Sequence, residues 1–162
     1  MGFTSSEYSD GLLAARKAMD KGDYNKAVEI LRPLLNMQIA EAQYLYSSCA
    51  VEGETGSEAD NRSFSYIEMA AKQEYPDALY ALGVIYDSGD GVDKDVVKAS
   101  SLFKTAAEKG HARAKLSYGL DLFYGSNGIS KDESLGLSFI KRAVDEDVEG
   151  AEEILEKLSA VS

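Results

Sequence analysis

An internal repeat constrains the fold of this 162-residue chain more than any other feature of its sequence. Alanines recur at spacings of 36, 36 and 37 residues, and each of the first three is followed five residues later by a small residue and eleven residues later by a glycine. The alanines are Ala42, Ala78, Ala114 and Ala151, the small residues are Ser47, Gly83 and Gly119, and the glycines are Gly53, Gly89 and Gly125. Such a period is typical of repeat proteins, in which each unit packs against its neighbours.

The second half of each unit carries apolar or small residues at relative positions 0, 3, 4, 7 and 8, starting from Ser63, Ala99 and Gly136. This stripe predicts an amphipathic helix. Each unit is therefore expected to be a helix, a glycine-rich loop, a second helix and a short turn. We predict one all-α domain over residues 1–162 with about nine helices in antiparallel pairs. It comprises a first helix pair at 5–39, three repeats at 40–75, 76–111 and 112–148, and a capping helix at 149–158.

The middle repeat carries the clearest family signature. Its runs Ala78–Tyr86 (ALYALGVIY), Gly89–Asp95 (GDGVDKD) and Ala106–Gly110 (AAEKG) resemble the Sel-1-like repeat, a relative of the tetratricopeptide repeat. The pair at 5–39, with Gly22-Asp23-Tyr24 in its turn, resembles a tetratricopeptide unit. The resemblance implies a right-handed α-solenoid that binds other proteins and does not catalyse a reaction.

The chain departs from that repeat pattern at a few positions. Ser47 and Ala50 stand where the family favours glycine and tyrosine, and Glu74 and Asp147 replace the turn glycine found at Gly110. These departures weaken individual repeats without changing the expected fold.

Charge narrows the class of partner. The net charge of −11 excludes nucleic acid and anionic membrane as partners held by bulk electrostatics, so the expected partner is another protein, and a basic one. Two stretches, 41–60 and 145–156, contain acidic residues and no base. They are interpreted either as solvated helix faces or as docking surfaces for a basic partner.

The residues that catalysis or metal binding would need are scarce. One cysteine, Cys49, and one histidine, His111, leave little material for a nucleophile, a triad or a metal site, so no catalytic residue, metal or cofactor is expected. Cys49 is predicted to be a core residue and His111 a surface turn residue without an obvious partner. Asp121 occupies the repeat position of Cys49 and is predicted to make a local polar contact. The acidic loop that starts at Asp87 lacks the spacing of a calcium loop.

The family resemblance places the first helix of each repeat on a concave face. Residues at fixed positions around each repeat alanine are expected to point into that groove, and aromatic residues there would anchor a partner. The alternative is that several of them contact one another and close the groove. The predicted binding residues are Glu41, Tyr44, Glu52, Asp77, Tyr80, Val84, Asp87, Arg113, Leu116, Leu120, Phe123 and Tyr124.

We therefore expect a non-catalytic protein-interaction scaffold that holds a partner through its groove and acidic surfaces. One specific form is a bacterial cytosolic immunity protein that neutralises a basic toxin such as a nuclease. The alternative is an adaptor in bacterial signalling or in envelope or stress regulation. Because the N-terminal residues lack the pattern of a secretory signal, the expected location is the cytoplasm. The unbound chain is expected to be a monomer.

Overall fold

The structure, a computed structural model, describes residues 5–160 and contains nine α-helices and no strand in that range. The predicted all-α solenoid class is confirmed, and the helix, loop, helix and turn order of each repeat is present. The helices are α1 (Ser5–Asp20), α2 (Tyr24–Asn36), α3 (Ala40–Ser47), α4 (Gly56–Lys72), α5 (Pro76–Ser88), α6 (Val96–Glu108), α7 (Ala112–Tyr124), α8 (Glu133–Asp145) and α9 (Ala151–Ser159).

The chain divides into two compact units, and the division falls within α5. The N-terminal unit runs to Ala78 and the C-terminal unit begins at Leu79. In the N-terminal unit the core is built from α1, α2 and α3, with Leu31, Leu34 and Ala42 buried at its centre. Because α2 continues through Pro33, the chain tolerates a proline within this short helix.

In the C-terminal unit, α7 and α8 approach closely because glycines face each other. A methyl group added at Gly136 would lie 2.7 Å from the Gly119 carbonyl oxygen and 2.7 Å from the Phe123 nitrogen, which is closer than real side chains approach. Ile140 is fully buried beside this contact, and Phe123, Ile140 and Leu158 form the core that α9 completes.

The turn before each repeat needs a left-handed backbone, because the chain reverses there within a few residues. Gln38, Glu74, Gly110 and Asp147 all have positive φ, between 55° and 99°. The two departures from glycine at Glu74 and Asp147 therefore place side-chain-bearing residues in a conformation that ordinarily favours glycine.

Arg62 closes the C-terminal end of the short helix α3. Its guanidinium donates to the carbonyl oxygens of Tyr46 and Cys49 at 2.7 and 2.6 Å, and to Glu54 at 2.9 Å. The Tyr46 carbonyl oxygen also accepts the backbone N–H of Cys49 at 3.1 Å, so Arg62 adds a charged donor to the polar groups at the end of this helix.

Among the described residues, no helix has both the length and the apolar character needed to cross a membrane.

Candidate protein-binding site

Two predicted binding residues, Glu41 and Asp77, form one polar cluster with two of their neighbours in the N-terminal unit. Arg16 donates to Glu41 Oε1 from Nε at 3.1 Å and from Nη2 at 2.8 Å, and Nη2 also donates to the Tyr75 hydroxyl at 3.3 Å. That hydroxyl in turn donates to Asp77 Oδ2 at 3.1 Å. We call Arg16, Glu41, Tyr75 and Asp77 the Arg16 cluster. Its polar atoms are largely engaged with one another.

Tyr44 packs against this cluster. Its ring lies 5.6 Å from that of Tyr75 at an angle of 50°. Burial raises the pKa of Tyr44, and the carboxylate of Asp77 raises it further. Burial and the carboxylates of Asp77 and Glu41 likewise raise the pKa of Tyr75 above its ordinary value. Three predicted binding residues of this unit, Glu41, Tyr44 and Asp77, thus contact each other or share a neighbour, which is the alternative that the sequence left open.

In the C-terminal unit, the corresponding residues line an open cavity of about 270 Å³. The Arg113 cavity, as we call it, lies between α5, α7 and the turn that joins α8 to α9. It is lined by Tyr80, Arg113, Leu116, Ser117, Val148 and Glu149. Within the described chain, neither the Arg113 guanidinium nor the Glu149 carboxylate takes part in a hydrogen bond or an ion pair. Three residues predicted from repeat position, Tyr80, Arg113 and Leu116, are brought together here.

His111 fixes one wall of this cavity, a role that the sequence did not reveal. Its Nδ1 accepts the backbone N–H of Ala114 at 3.1 Å and so caps α7. The Tyr80 ring stacks on the imidazole at 4.4 Å and 21°, and it also contacts Phe103 at 5.6 Å. His111 does stand in the turn before α7, as predicted, but the expectation that it has no obvious partner was wrong. The one signal in the sequence was the position of His111 directly before a predicted helix.

The remaining predicted residues of α5 and α7 divide by exposure. Tyr124 is 60% exposed and Val84 43% exposed, and Asp87 is also exposed. Leu120 is half-buried against the C-terminal core. Phe123 is only 8% exposed and packs with Ile140 and Leu158, so its assignment to a binding surface was wrong. The reason is that α9 follows the last repeat and covers this position.

Glu52 lies in a separate place. It is exposed and lines a second open cavity, of about 340 Å³ beside α2, together with Asn25, Glu29 and Val51. Its neighbour Arg32 lines the same cavity. This surface therefore carries charges of both signs.

The two base-free acidic stretches are partly neutralised by bases from outside them. Glu41 pairs with Arg16 and Glu54 with Arg62. In the second stretch Glu146 pairs with the buried Lys115, and Glu153 with Lys157. Glu58 acts within a capping box with Thr55. Several of these carboxylates thus stabilise the fold, and the acids that remain exposed without such a partner include Glu52, Asp60 and Glu149.

Asp121 makes the polar contact that was predicted for it. It is 7% exposed and its carboxylate accepts from Ser100 at 2.5 Å, Ser126 at 3.0 Å and Asn127 at 2.8 Å. It thereby connects the loop after α7 to α6.

Cys49 is buried, as predicted for a core residue, and burial raises the pKa of its thiol, which disfavours the thiolate. Across residues 5–160, no group of three or more potential metal ligands is close enough to hold an ion.

Comparison with known proteins identifies the class. The model of the Sel1 repeat matches residues 40–75, 76–111 and 112–148, which is more than half of the chain. The chain belongs to the Sel1 repeat family. Sel1 repeat proteins are non-catalytic scaffolds for protein interactions, so the expectation that this protein is not an enzyme agrees with its family.

Particular relatives are known in yeast and bacteria. The chain is 30% identical to Protein SHC1 of Saccharomyces cerevisiae over 108 residues, 67% of this chain and 21% of that protein. It is 28% identical to the chitin synthase regulator SKT5 of the same yeast over 116 residues, 72% of this chain and 17% of that one. A crystal structure of a Sel1 repeat protein from Oxalobacter formigenes matches with a TM-score of 0.71 and 26% identity, covering 80% of this chain and 97% of that chain. The chain thus spans about a fifth of the length of the curated relatives it matches.

Proposed function

We propose that this protein is an adaptor that holds a partner protein on the surface formed by α5 and α7 in its C-terminal unit. One observation carries the proposal. In the first repeat Glu41 pairs with Arg16 and Tyr44 packs on Tyr75, whereas the same repeat positions of the C-terminal unit hold Arg113 and Leu116, which line an open cavity. A surface with unpaired charge and exposed aromatic and apolar side chains is suited to contact with another protein.

Tyr124 and Val84 support the same surface. Tyr124 is the most exposed large hydrophobic residue of α7, and Val84 is the most exposed one of α5. These two helices bound the Arg113 cavity. Tyrosine supplies a large contact area with few rotatable bonds, so an exposed tyrosine is well suited to anchor a partner.

The names of the relatives favour an adaptor. SKT5 is named as a regulator of chitin synthase, which is a role exerted on another protein. This chain covers only 17% of SKT5, so we carry over the binding of a protein and not the regulated enzyme.

Site-specific photo-crosslinking tests this function. A photoreactive phenylalanine analogue placed at Tyr124 or at Val84 in the source cells should give one reproducible crosslinked protein. The matched controls are the same analogue at Val97, which is 58% exposed on α6, and at Lys104, which is also exposed on α6. Crosslinking that is equal at all four positions, or confined to the α6 positions, would contradict the proposal.

A second candidate function is the inhibition of a basic toxin, and the net charge of −11 favours it. Exposed carboxylates accelerate the encounter with a basic partner, and their effect weakens with salt. If the protein is such an inhibitor, co-expression should protect cells from a toxin encoded beside it, and association should slow by tenfold or more between about 50 and 500 mM salt. An adaptor anchored by Tyr124 and Val84 should keep its affinity over the same range, so the salt series separates the two functions.

A further inference from the structure

The Arg113 cavity is large enough to receive a side chain of a partner. Its volume of about 270 Å³ lies below the range of about 300–1,000 Å³ that is typical of small-molecule pockets. Leu116 and Val148 supply apolar wall, and Leu116 also packs against the core that contains Ile140 and Leu158. An aliphatic side chain placed here would therefore meet apolar surface that is already held in position.

The rim of the cavity carries one charge of each sign. Arg113 lies in the first turn of α7 and Glu149 in the turn before α9, and neither side chain is paired with another described residue. Their charges are thus available to an occupant, and they stand on different elements. A partner that offers a carboxylate and a cation on the two sides of an aliphatic residue would match both of them.

Arg113 is not explained by the stability of its helix. A cation in the first turn of a helix opposes the macrodipole, which favours carboxylates there. The first turn of α3 holds Glu41 at the same repeat position, and that of α5 holds Asp77. We therefore attribute the arginine at this position of the third repeat to a partner that supplies a negative charge to pair with it.

The walls of the cavity are held in place before any partner binds. The Tyr80 ring stacks on His111, whose own position is set by the cap on α7. Ser117 donates its hydroxyl to the Arg113 carbonyl oxygen at 3.3 Å, so its side chain is also engaged. An occupant then has little side-chain order to impose on these residues, which favours binding.

We propose that the Arg113 cavity receives an aliphatic residue of a linear partner segment, flanked on one side by an aspartate or glutamate that pairs with Arg113 and on the other by a lysine or arginine that pairs with Glu149. This inference rests on the proposed protein-binding function and specifies the partner segment at that same surface.

The test uses a random 12-residue peptide library displayed on phage and the full chain as bait. The wild-type protein is compared with a charge-swapped variant, Arg113→Glu with Glu149→Arg, which keeps the net charge at −11. Both should enrich sequences with an acidic residue, an aliphatic residue and a basic residue in close succession, and the order of acid and base in the swapped variant should be the reverse of that for wild type.

Enriched peptides are then synthesised and their affinities measured. The swap should weaken a wild-type peptide by roughly tenfold or more, because two attractive pairs become repulsive. The single variant Arg113→Glu should weaken it by about threefold to tenfold, whereas Lys104→Glu, with the same change in net charge on α6, should change the affinity less than about twofold. Circular dichroism of each variant checks that the helices remain folded.

Three outcomes would overturn the inference: no enrichment above an unrelated bait, the same motif for wild type and the swapped variant, or equal effects of Arg113→Glu and Lys104→Glu. If Tyr124 still crosslinks one partner while the swap leaves that partner's affinity unchanged, the cavity assignment fails and the adaptor function stands. If crosslinking from Tyr124 and Val84 also fails to exceed the α6 controls, both fail.

Discussion

In the first Sel1 repeat the residues just before and two after the repeat alanine are Glu41 and Tyr44, and in the third they are Arg113 and Leu116. Glu41 is held by Arg16 at 2.8 Å, and Tyr44 packs on Tyr75. Arg113, by contrast, has no side-chain partner in the described chain, and Leu116 lines an open cavity. Equivalent positions are therefore closed in the N-terminal unit and available in the C-terminal unit.

Repeat position therefore determines where a side chain emerges from its helix, whereas the neighbouring residues determine whether it is available to bind. The first repeat has a helix pair before it that supplies Arg16. The third has the α8–α9 turn beside its first helix, and that turn brings Glu149 to the cavity without pairing it to Arg113. A binding role is thus expected of the C-terminal residues and a structural role of the Arg16 cluster.

The largest expected effect concerns the close helix contact that supports the Arg113 cavity. Gly136→Ala places a methyl group 2.7 Å from backbone atoms of α7, so we expect a loss of about 3 kcal/mol in the free energy of unfolding. The equivalent residue of the first repeat is Ser63, which already carries a side chain, and Ser63→Ala should change stability by less than about 0.5 kcal/mol. Urea denaturation followed by circular dichroism measures both. Equal losses would show that the two repeats pack alike.

A second prediction compares Cys49 and Asp121, which stand seven residues after the repeat alanine in the first and third repeats. Asp121→Ala removes an acceptor of three hydrogen bonds and leaves Ser100 buried without its partner, so a loss of about 2 kcal/mol is expected. Cys49→Ala, at the same repeat position, removes only a small apolar group and should cost about 1 kcal/mol. The same denaturation assay applies. A smaller loss for Asp121→Ala than for Cys49→Ala would contradict the contact assigned to Asp121.

A third prediction tests the structural role of the Arg16 cluster. Glu41→Gln removes the charge that Arg16 contacts, but the two side chains are 31% and 43% exposed, so the pair contributes only about 0.2–1 kcal/mol. We expect a loss of stability in that range and no change in affinity for a peptide selected on the wild-type protein. A fall in peptide affinity as large as that caused by Arg113→Glu would place the binding surface in the N-terminal unit instead.

The smallest expected effect appears at high pH. The pKa of Tyr75 is raised on folding by burial and by Asp77 and Glu41, so the folded protein favours the neutral phenol. The stability contributed by this group is complete below the ordinary tyrosine pKa of about 10 and declines as the pH rises above it. In Tyr75→Phe the decline in unfolding free energy above about pH 10 should be shallower than in wild type. Denaturation midpoints at pH 8 and pH 10.5 measure it, and equal slopes would refute the assignment.

Much of the fold could be predicted because the repeat is regular. The alanine and glycine spacings specified the helix pairs, and buried Ala42, Ala78 and Ala114 confirm that these alanines are helix contacts. Phe123 could not be placed from spacing, because its burial depends on α9, which breaks the repeat. The left-handed turns at Glu74 and Asp147 also follow from repeat position, although neither residue favours that backbone.

The candidate site was predictable only in part. Repeat position selected Tyr80, Arg113 and Leu116, which the structure brings to one cavity. It did not indicate Val148 or Glu149, because these lie in a turn whose position depends on how α8 and α9 pack. Nor did it indicate that Arg16 would neutralise Glu41 across 25 residues of chain. Contacts between distant residues of this kind carry no local signal in the sequence.

Hydrogen exchange of the full chain, with and without a saturating peptide selected on wild type, tests the central claim most directly. We predict slower exchange at 112–117 and 146–150, on the two sides of the Arg113 cavity, and no change at 40–47. Slower exchange at 40–47 with 112–117 and 146–150 unchanged would contradict it.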